Sequence, residues 1–260
     1  MTRALTDHLV ECRALGRRAL VCYVTAGHPD PAASLRLLRE LPAAGADVIE
    51  LGVPFSDPLA DGPVIQASSQ RALEQGMTLD GALALVSEVR PSVPVVLFSY
   101  LNPLLAAGQQ VLARAADAGV QGVLVTDLPV GMDPEREAWL GGGPLEFVRL
   151  VAPTTPLARM AEIAKHGSGF VYLISRLGVT GMQSQIAADL PRSLAELRSV
   201  CALPICVGFG ISDAGQAREI GAMADGIVVG SALVKAADSS VDDALVLVRE
   251  LRAALDSLAS

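Results

Sequence analysis

The chain has 260 residues, 51% of them hydrophobic and 18% charged, with a formal net charge of -8. That length holds one large α/β domain or two small ones, with ample material for a core. The acidic balance and the lack of any long polar tract argue against a general nucleic-acid or anionic-membrane binder and against disorder, while leaving room for a local anion pocket.

The first ten residues carry Asp7 and His8 and no sustained apolar run, so no secretory leader is expected. No stretch approaches the ~18 apolar residues of a membrane span. Residues 2–16 read as a short amphipathic helix ending near Gly16, within a lead-in that occupies 1–18. The four cysteines, Cys12, Cys22, Cys201 and Cys206, form no CxxC pair, and free thiols in a reducing cytoplasm are the simplest reading.

From residue 19 the pattern becomes regular. Short runs rich in Val, Ile and Leu occur at 19–25, 47–52, 93–100, 122–127, 146–151, 169–175, 203–209 and 226–230. Segments of helical period separate them, for example 32–41, 79–89, 104–118 and 190–200. Near-continuous apolar strands are buried on both faces, and strict alternation with helices implies parallel pairing through right-handed crossovers. Eight such units in a chain of this length predict a single-domain (β/α)8 TIM barrel over 1–260, with one extra N-terminal helix. A doubly wound open sheet is the alternative. Pro29-Asp30-Pro31 and Ser212-Asp213 supply helix starts.

The second strand carries an acid near its carboxyl end. Side chains alternate, so Val48, Glu50 and Gly52 share one face and Ile49 and Leu51 the other. If that first face points into the barrel, Glu50 reaches the mouth where such barrels keep their chemistry, and burial would raise its pKa into the range of a general acid or base. A structural acid paired with Arg or a backbone amide is the competing role. Asp61 follows in a loop stiffened by Pro54, Pro58 and Pro63. An Asp before Gly is ordinarily a turn former, but a rigid loop also fixes where its carboxylate stands.

Three glycine turns follow strands in the last third: Gly178 to Gly181, Gly208-Phe209-Gly210, and Gly230-Ser231. Their amides, aimed with a helix N-terminus, can hold a phosphate without Arg or Lys. Gly208-x-Gly210 lacks the third glycine of a dinucleotide fingerprint, Asp213 standing there instead. His8, His28 and His166 show no ligand-like spacing with each other or with the cysteines, so no metal is expected. Tyr23, Phe98, Tyr100, Tyr172 and Phe209 fall at or near strand ends, as core packing or as a pocket wall.

Glu50-Leu51-Gly52-Val53-Pro54-Phe55-Ser56-Asp57-Pro58-Leu59-Ala60-Asp61-Gly62-Pro63 resembles the signature of the tryptophan synthase α subunit family. Ser175-Arg176-Leu177-Gly178-Val179-Thr180-Gly181, Gly208-Phe209-Gly210-Ile211-Ser212 and Gly230-Ser231-Ala232-Leu233-Val234-Lys235 extend the match, which runs in register from about residue 20 to 235. The resemblance implies a lyase splitting indole-3-glycerol phosphate into indole and glyceraldehyde 3-phosphate by retro-aldol cleavage. Glu50 matches the family's general acid/base, and Asp61 the carboxylate facing the indole nitrogen. Tyr23, Phe98, Leu124, Thr126 and Tyr172 are expected in the indole cradle, with Phe209 beside them. Gly181, Gly210, Gly230 and Ser231 are expected on the phosphate, and Thr180 as a hydrogen-bond partner of Asp61 when the loops close.

The family works as an αββα tetramer whose β subunit holds pyridoxal phosphate, so no cofactor is expected in this chain. Pro54, Asp57 and Asn102-Pro103 match the partner-facing surface. A stand-alone lyase, another phosphate-binding barrel and a purely allosteric subunit stay open as alternatives. The sequence departs from the family at Tyr23, where Phe is familiar, and at Thr126, where a smaller residue is common. Residues 130–143 and the segment after Gly181 also match poorly.

Overall fold

The computed structural model describes residues 4–174, 189–208 and 210–258. In chain order the elements are α1 (Leu5–Ala14), β1 (Ala19–Thr25), α2 (Pro31–Ala44), β2 (Val48–Gly52), α3 (Pro63–Glu74), α4 (Leu79–Val89), β3 (Val95–Ser99), α5 (Leu101–Ala106) and α6 (Val111–Ala118). Then come β4 (Gly122–Val125), α7 (Pro134–Gly141), β5 (Glu146–Val151), α8 (Leu157–Lys165), β6 (Val171–Ile174), α9 (Leu190–Val200), β7 (Ile205–Gly208), α10 (Ala214–Gly221), β8 (Gly226–Val229), α11 (Ser231–Ser239) and α12 (Val241–Asp256). All strands pair in parallel, and β8 closes onto β1, making the (β/α)8 barrel.

Strand alternation divides the core in two. Leu20, Cys22, Val24, Ile49, Leu51, Leu97 and Val207 face outward into the layer beneath the helices. Val21, Val48, Val96, Leu124, Val148, Cys206 and Val228 fill the barrel interior. Leu5 and Leu9 of α1 belong to that interior cluster and cap the barrel at the amino ends of its strands. Thr6 N donates to Glu146 Oε2 at 3.0 Å, and Gly169 N donates to Thr6 Oγ1 at 2.9 Å, pinning the cap. Gly169 has φ +78°, and a Cβ there would stand 2.6 Å from Leu5 Cδ2, so backbone conformation and space both require glycine.

The helix starts are those the sequence indicates. Asp30 accepts from Ala33 N at 2.9 Å with Pro31 opening α2, and Asp213 accepts from Gln216 N at 3.0 Å ahead of α10. One expectation is corrected: 104–118 is two helices, α5 and α6. Gly108 at φ +85° turns the chain between them, a conformation outside the right-handed helical region. The first helix is also shorter than 2–16, ending at Ala14 before Gly16 at φ +71°.

At the base of the barrel Asp47 is buried and fully engaged. Its carboxylate accepts from Leu20 N at 2.8 Å, Arg17 Nε at 2.8 Å and Arg252 at 3.1 Å, joining β1, β2 and α12. The structure also corrects the histidine reading. His8 and Cys12, four residues apart on one face of α1, bring Nε2 and Sγ within 3.9 Å, and an Asp47 oxygen lies within 4.8 Å of both. Two arginines already neutralise that carboxylate, and burial pushes the Cys12 thiol up to about 11, so the donor set disfavours a cation. All four cysteines are free.

Candidate active site

A cavity of about 260 Å3 opens at the carboxyl ends of the strands. Glu50 comes to it from β2, where its Cα pairs with that of Tyr23 on β1. It is 1% exposed, and its Oε1 has no hydrogen-bond partner among the described residues. Burial alone pushes this carboxyl up to about 8. The competing structural role needed an Arg or amide partner, and none is seen on that oxygen. A carboxyl buried this fully keeps its proton near neutrality.

Asp61 enters from the loop between β2 and α3. The loop is tied down by its own backbone and by Tyr100: Asp61 N donates to Pro58 O at 3.1 Å, and Ala60 N donates to the Tyr100 hydroxyl at 2.8 Å. Gln66 Nε2 donates to Asp61 O at 2.8 Å. Burial pushes the Asp61 carboxyl up to about 6, opposed by a hydrogen bond from Tyr100 that favours the anion. The two acids therefore differ in kind: Glu50 is fixed on a strand and buried, while Asp61 is on a loop and half-buried.

The wall between them is aromatic. Tyr23 and Phe98 meet edge to face, with centroids 5.2 Å apart and planes at 80°, and Tyr172 joins the lining from β6. The far end is built by turns. Gly210, at φ +86°, precedes Ile211 and Ser212, and Gly230 precedes the first turn of α11, where Ser231 begins the helix. The free N–H groups and positive dipole end of α11 favour an anion there.

Of the residues expected from sequence, Tyr23, Glu50, Asp61, Phe98, Tyr172, Gly210, Gly230 and Ser231 line this one cavity. Leu124 and Thr126 are not among its lining residues. Leu124 is fully buried in the barrel interior. Thr126 lies beyond the end of β4, where its amide donates to Ser99 O at 3.0 Å, and it lines a neighbouring depression with Leu128 and Arg159. Thr126, one residue past the end of β4, hydrogen-bonds Tyr100, which in turn holds Asp61. Thr180, Gly181 and Phe209 lie outside the described residues.

Several lining residues were not singled out from sequence. Val64 and Ile65 lie in the first turn of α3, just past Asp61, Gly62 and Pro63, and Lys235 is one turn into α11 on the face of Ser231. Helical spacing from Ser231 could have found Lys235, since positions four apart share a face. The role of Tyr100 in holding the Asp61 loop depends on a contact 40 residues away in sequence, which its place at a strand end does not reveal.

Known proteins resemble the chain along nearly its whole length. The family model described as tryptophan synthase alpha chain matches residues 9–259. The tryptophan synthase alpha chain of Laribacter hongkongensis is 47% identical over 261 residues, covering 97% of this chain and 99% of that one. That of Citrifermentans bemidjiense is 49% identical over 238 residues, covering 89% and 88%. Among solved structures, Mycobacterium tuberculosis tryptophan synthase superposes with a TM-score of 0.90 at 34% identity, covering 98% of this chain and 99% of that one. Legionella pneumophila tryptophan synthase subunit alpha gives 0.89 at 32%, covering 99% of each. The chain belongs to the tryptophan synthase alpha chain family.

Proposed function

We propose that the chain cleaves indole-3-glycerol phosphate to indole and glyceraldehyde 3-phosphate, with Glu50 and Asp61 as its catalytic residues. The observation that carries the reading is the pairing of acids: a buried Glu50, its Oε1 without a partner among the described residues, and a loop-borne Asp61 share a cavity that also takes in the N-terminus of α11.

Glu50, protonated near neutral pH, delivers its proton to the ring carbon that bears the side chain. The ring nitrogen becomes cationic, and the Asp61 carboxylate stabilises its N–H. Glu50, now an anion, takes the proton of the adjacent chain hydroxyl. The O–H electron pair forms the aldehyde, the carbon–carbon bond breaks, and its pair returns to the ring to give neutral indole. Atoms and charge balance, and Glu50 ends protonated. Tyr23, Phe98 and Tyr172 hold the ring, with Phe209 beside them, while Gly181, Gly210, Gly230 and Ser231 hold the phosphate. Thr180 takes the Asp61 carboxylate on closure.

The proposal extends to assembly with a β subunit as an αββα tetramer in the cytoplasm, pyridoxal phosphate belonging to the partner. An apolar rim supports a partner: Leu59, Leu105, Met132 and Leu157, which follow β2, β3, β4 and β5 in turn, are exposed at 91%, 41%, 68% and 44%. Asp57 and Asn102 are exposed beside them, whereas Pro54 is buried. No helix of the described residues is long and apolar enough to cross a membrane. The test is indole release from indole-3-glycerol phosphate by the isolated chain, by Glu50→Gln, and with an added β subunit. Turnover lost in Glu50→Gln and raised by the partner is expected; unaltered turnover in Glu50→Gln refutes the assignment.

A further inference from the structure

Tyr23 occupies a particular place between the two ends of the cavity. It stands on β1, between β2 with Glu50 and β8 with the Gly230 turn. A Cβ built on Gly230 would lie 3.7 Å from Tyr23 Cβ and 3.8 Å from Cγ and Cδ1, so the base of the ring rests against the anion end. The tip crosses to the other strand, where a Cβ on Gly52 would collide with the phenol oxygen; Gly52 leaves room for that tip. The ring therefore spans the path from the helix N-terminus to the strand that carries Glu50.

The phenol oxygen is poorly satisfied where it stands. Tyr23 is 6% exposed, and among the described residues its side-chain hydrogen bond is with Thr25 Oγ1, long at 3.4 Å. Thr25 is held from behind by Ser68 Oγ at 2.7 Å, and Ser68 in turn reaches Ile65 O at 2.8 Å. Ser68 gives its one proton to Ile65 O and Thr25 gives its own to Ser68, so the Tyr23 proton turns to Thr25 and the phenol oxygen is left to accept from a hydroxyl in the cavity. A buried hydroxyl with one long bond gains from any ligand hydroxyl placed beside it, and a ligand lacking that hydroxyl leaves it unpaired. Asp61, Glu50, Tyr100 and Tyr172 interact electrostatically with the phenol, and Lys235 of α11 shares the cavity lining.

We propose that Tyr23, backed by Thr25 and Ser68, is a specificity-determining residue whose phenol hydrogen-bonds a hydroxyl of the three-carbon chain joining the ring to the phosphate. This rests on the function proposed above, since that chain must run from the Gly230 turn to Glu50, along the Tyr23 ring. The residue thus selects hydroxylated chains over hydrocarbon ones, a selection that phenylalanine in its place would not provide.

The experiment compares equilibrium binding of two ligands in a Glu50→Gln background, which prevents turnover: indole-3-glycerol phosphate and the same molecule without its chain hydroxyls. Tyr23→Phe is expected to weaken the hydroxylated ligand about tenfold and the dehydroxylated one less than about twofold. Thr25→Val, which keeps the phenol and removes its support, is expected to weaken the hydroxylated ligand by a smaller factor, with the other unchanged. Equal losses for both ligands, or none for either, overturn the Tyr23 assignment. Failure of the Glu50→Gln protein with Tyr23 intact to bind either ligand would instead refute the underlying functional reading.

Discussion

Replacing Glu50 with glutamine tests the central electrostatic argument without relying on catalysis. In the folded chain burial holds the carboxyl at about 8, against 4.5 for the unperturbed group. Between those values the folded state keeps a proton that the unfolded state has released, so stability falls as pH rises. The contribution is fully present below 4.5 and is lost progressively as pH climbs through about 8. At about 1.4 kcal/mol per pH unit, the rise from 4.5 to about 8 amounts to about 5 kcal/mol. The carboxamide of the Glu50→Gln protein would be neutral at every pH and would not show this loss. Asp61, also raised, tilts both proteins alike and cancels in the difference. Urea unfolding followed by circular dichroism at pH 4, 5, 6, 7 and 8 measures that difference. The stability of Glu50→Gln minus that of the unmodified chain is expected to be flat to about pH 4.5 and then to climb by several kcal/mol before pH 8. A flat difference over the whole range would mean that Glu50 is not desolvated, and the assignment of its proton at neutral pH would fall with it.

Tyr100→Phe removes the hydroxyl that favours the Asp61 anion, so the acid limb of the kcat/KM profile is expected to move to higher pH, read by initial rates across pH 5 to 9. An unshifted limb would detach Asp61 from Tyr100. Gly52→Ala puts a methyl against the Tyr23 phenol and is expected to cost about 1–3 kcal/mol in chemical denaturation while impairing turnover through a displaced ring. Leu5→Ala, beneath the barrel and 0% exposed, is expected to lower stability by about 2–5 kcal/mol with kcat per folded molecule unchanged, measured by denaturation and by active-site-normalised rates.

Much of the molecule is legible in its residues because the barrel repeats a short-range rule. Alternating outward and inward positions on each strand, and apolar runs of strand length between helical segments, follow from backbone periodicity alone, and β1 and β5 match their expected bounds residue for residue. The position of Glu50 on the inward face is part of that rule, since its parity with Val48 fixes it. The failures also have local causes. Helix 104–118 divides at Gly108, whose positive φ composition does not announce, and Thr126 stands one residue past the end of β4, bonded to Tyr100 and outside the cavity lining.

Sequence therefore determined the fold class, the face on which each strand residue stands and the two acids. Tertiary structure decided their environment. Whether Glu50 is paired or dry depends on which side chains the neighbouring strands bring over it, and a protonated carboxyl follows only from that enclosure. Tyr100 reaches the Asp61 loop, Thr25 and Ser68 stand behind Tyr23, and Asp47 gathers Arg17 and Arg252. Each of these contacts joins elements remote in sequence, and hydrogen bonds depend on distances of a few ångströms that residue order alone does not encode.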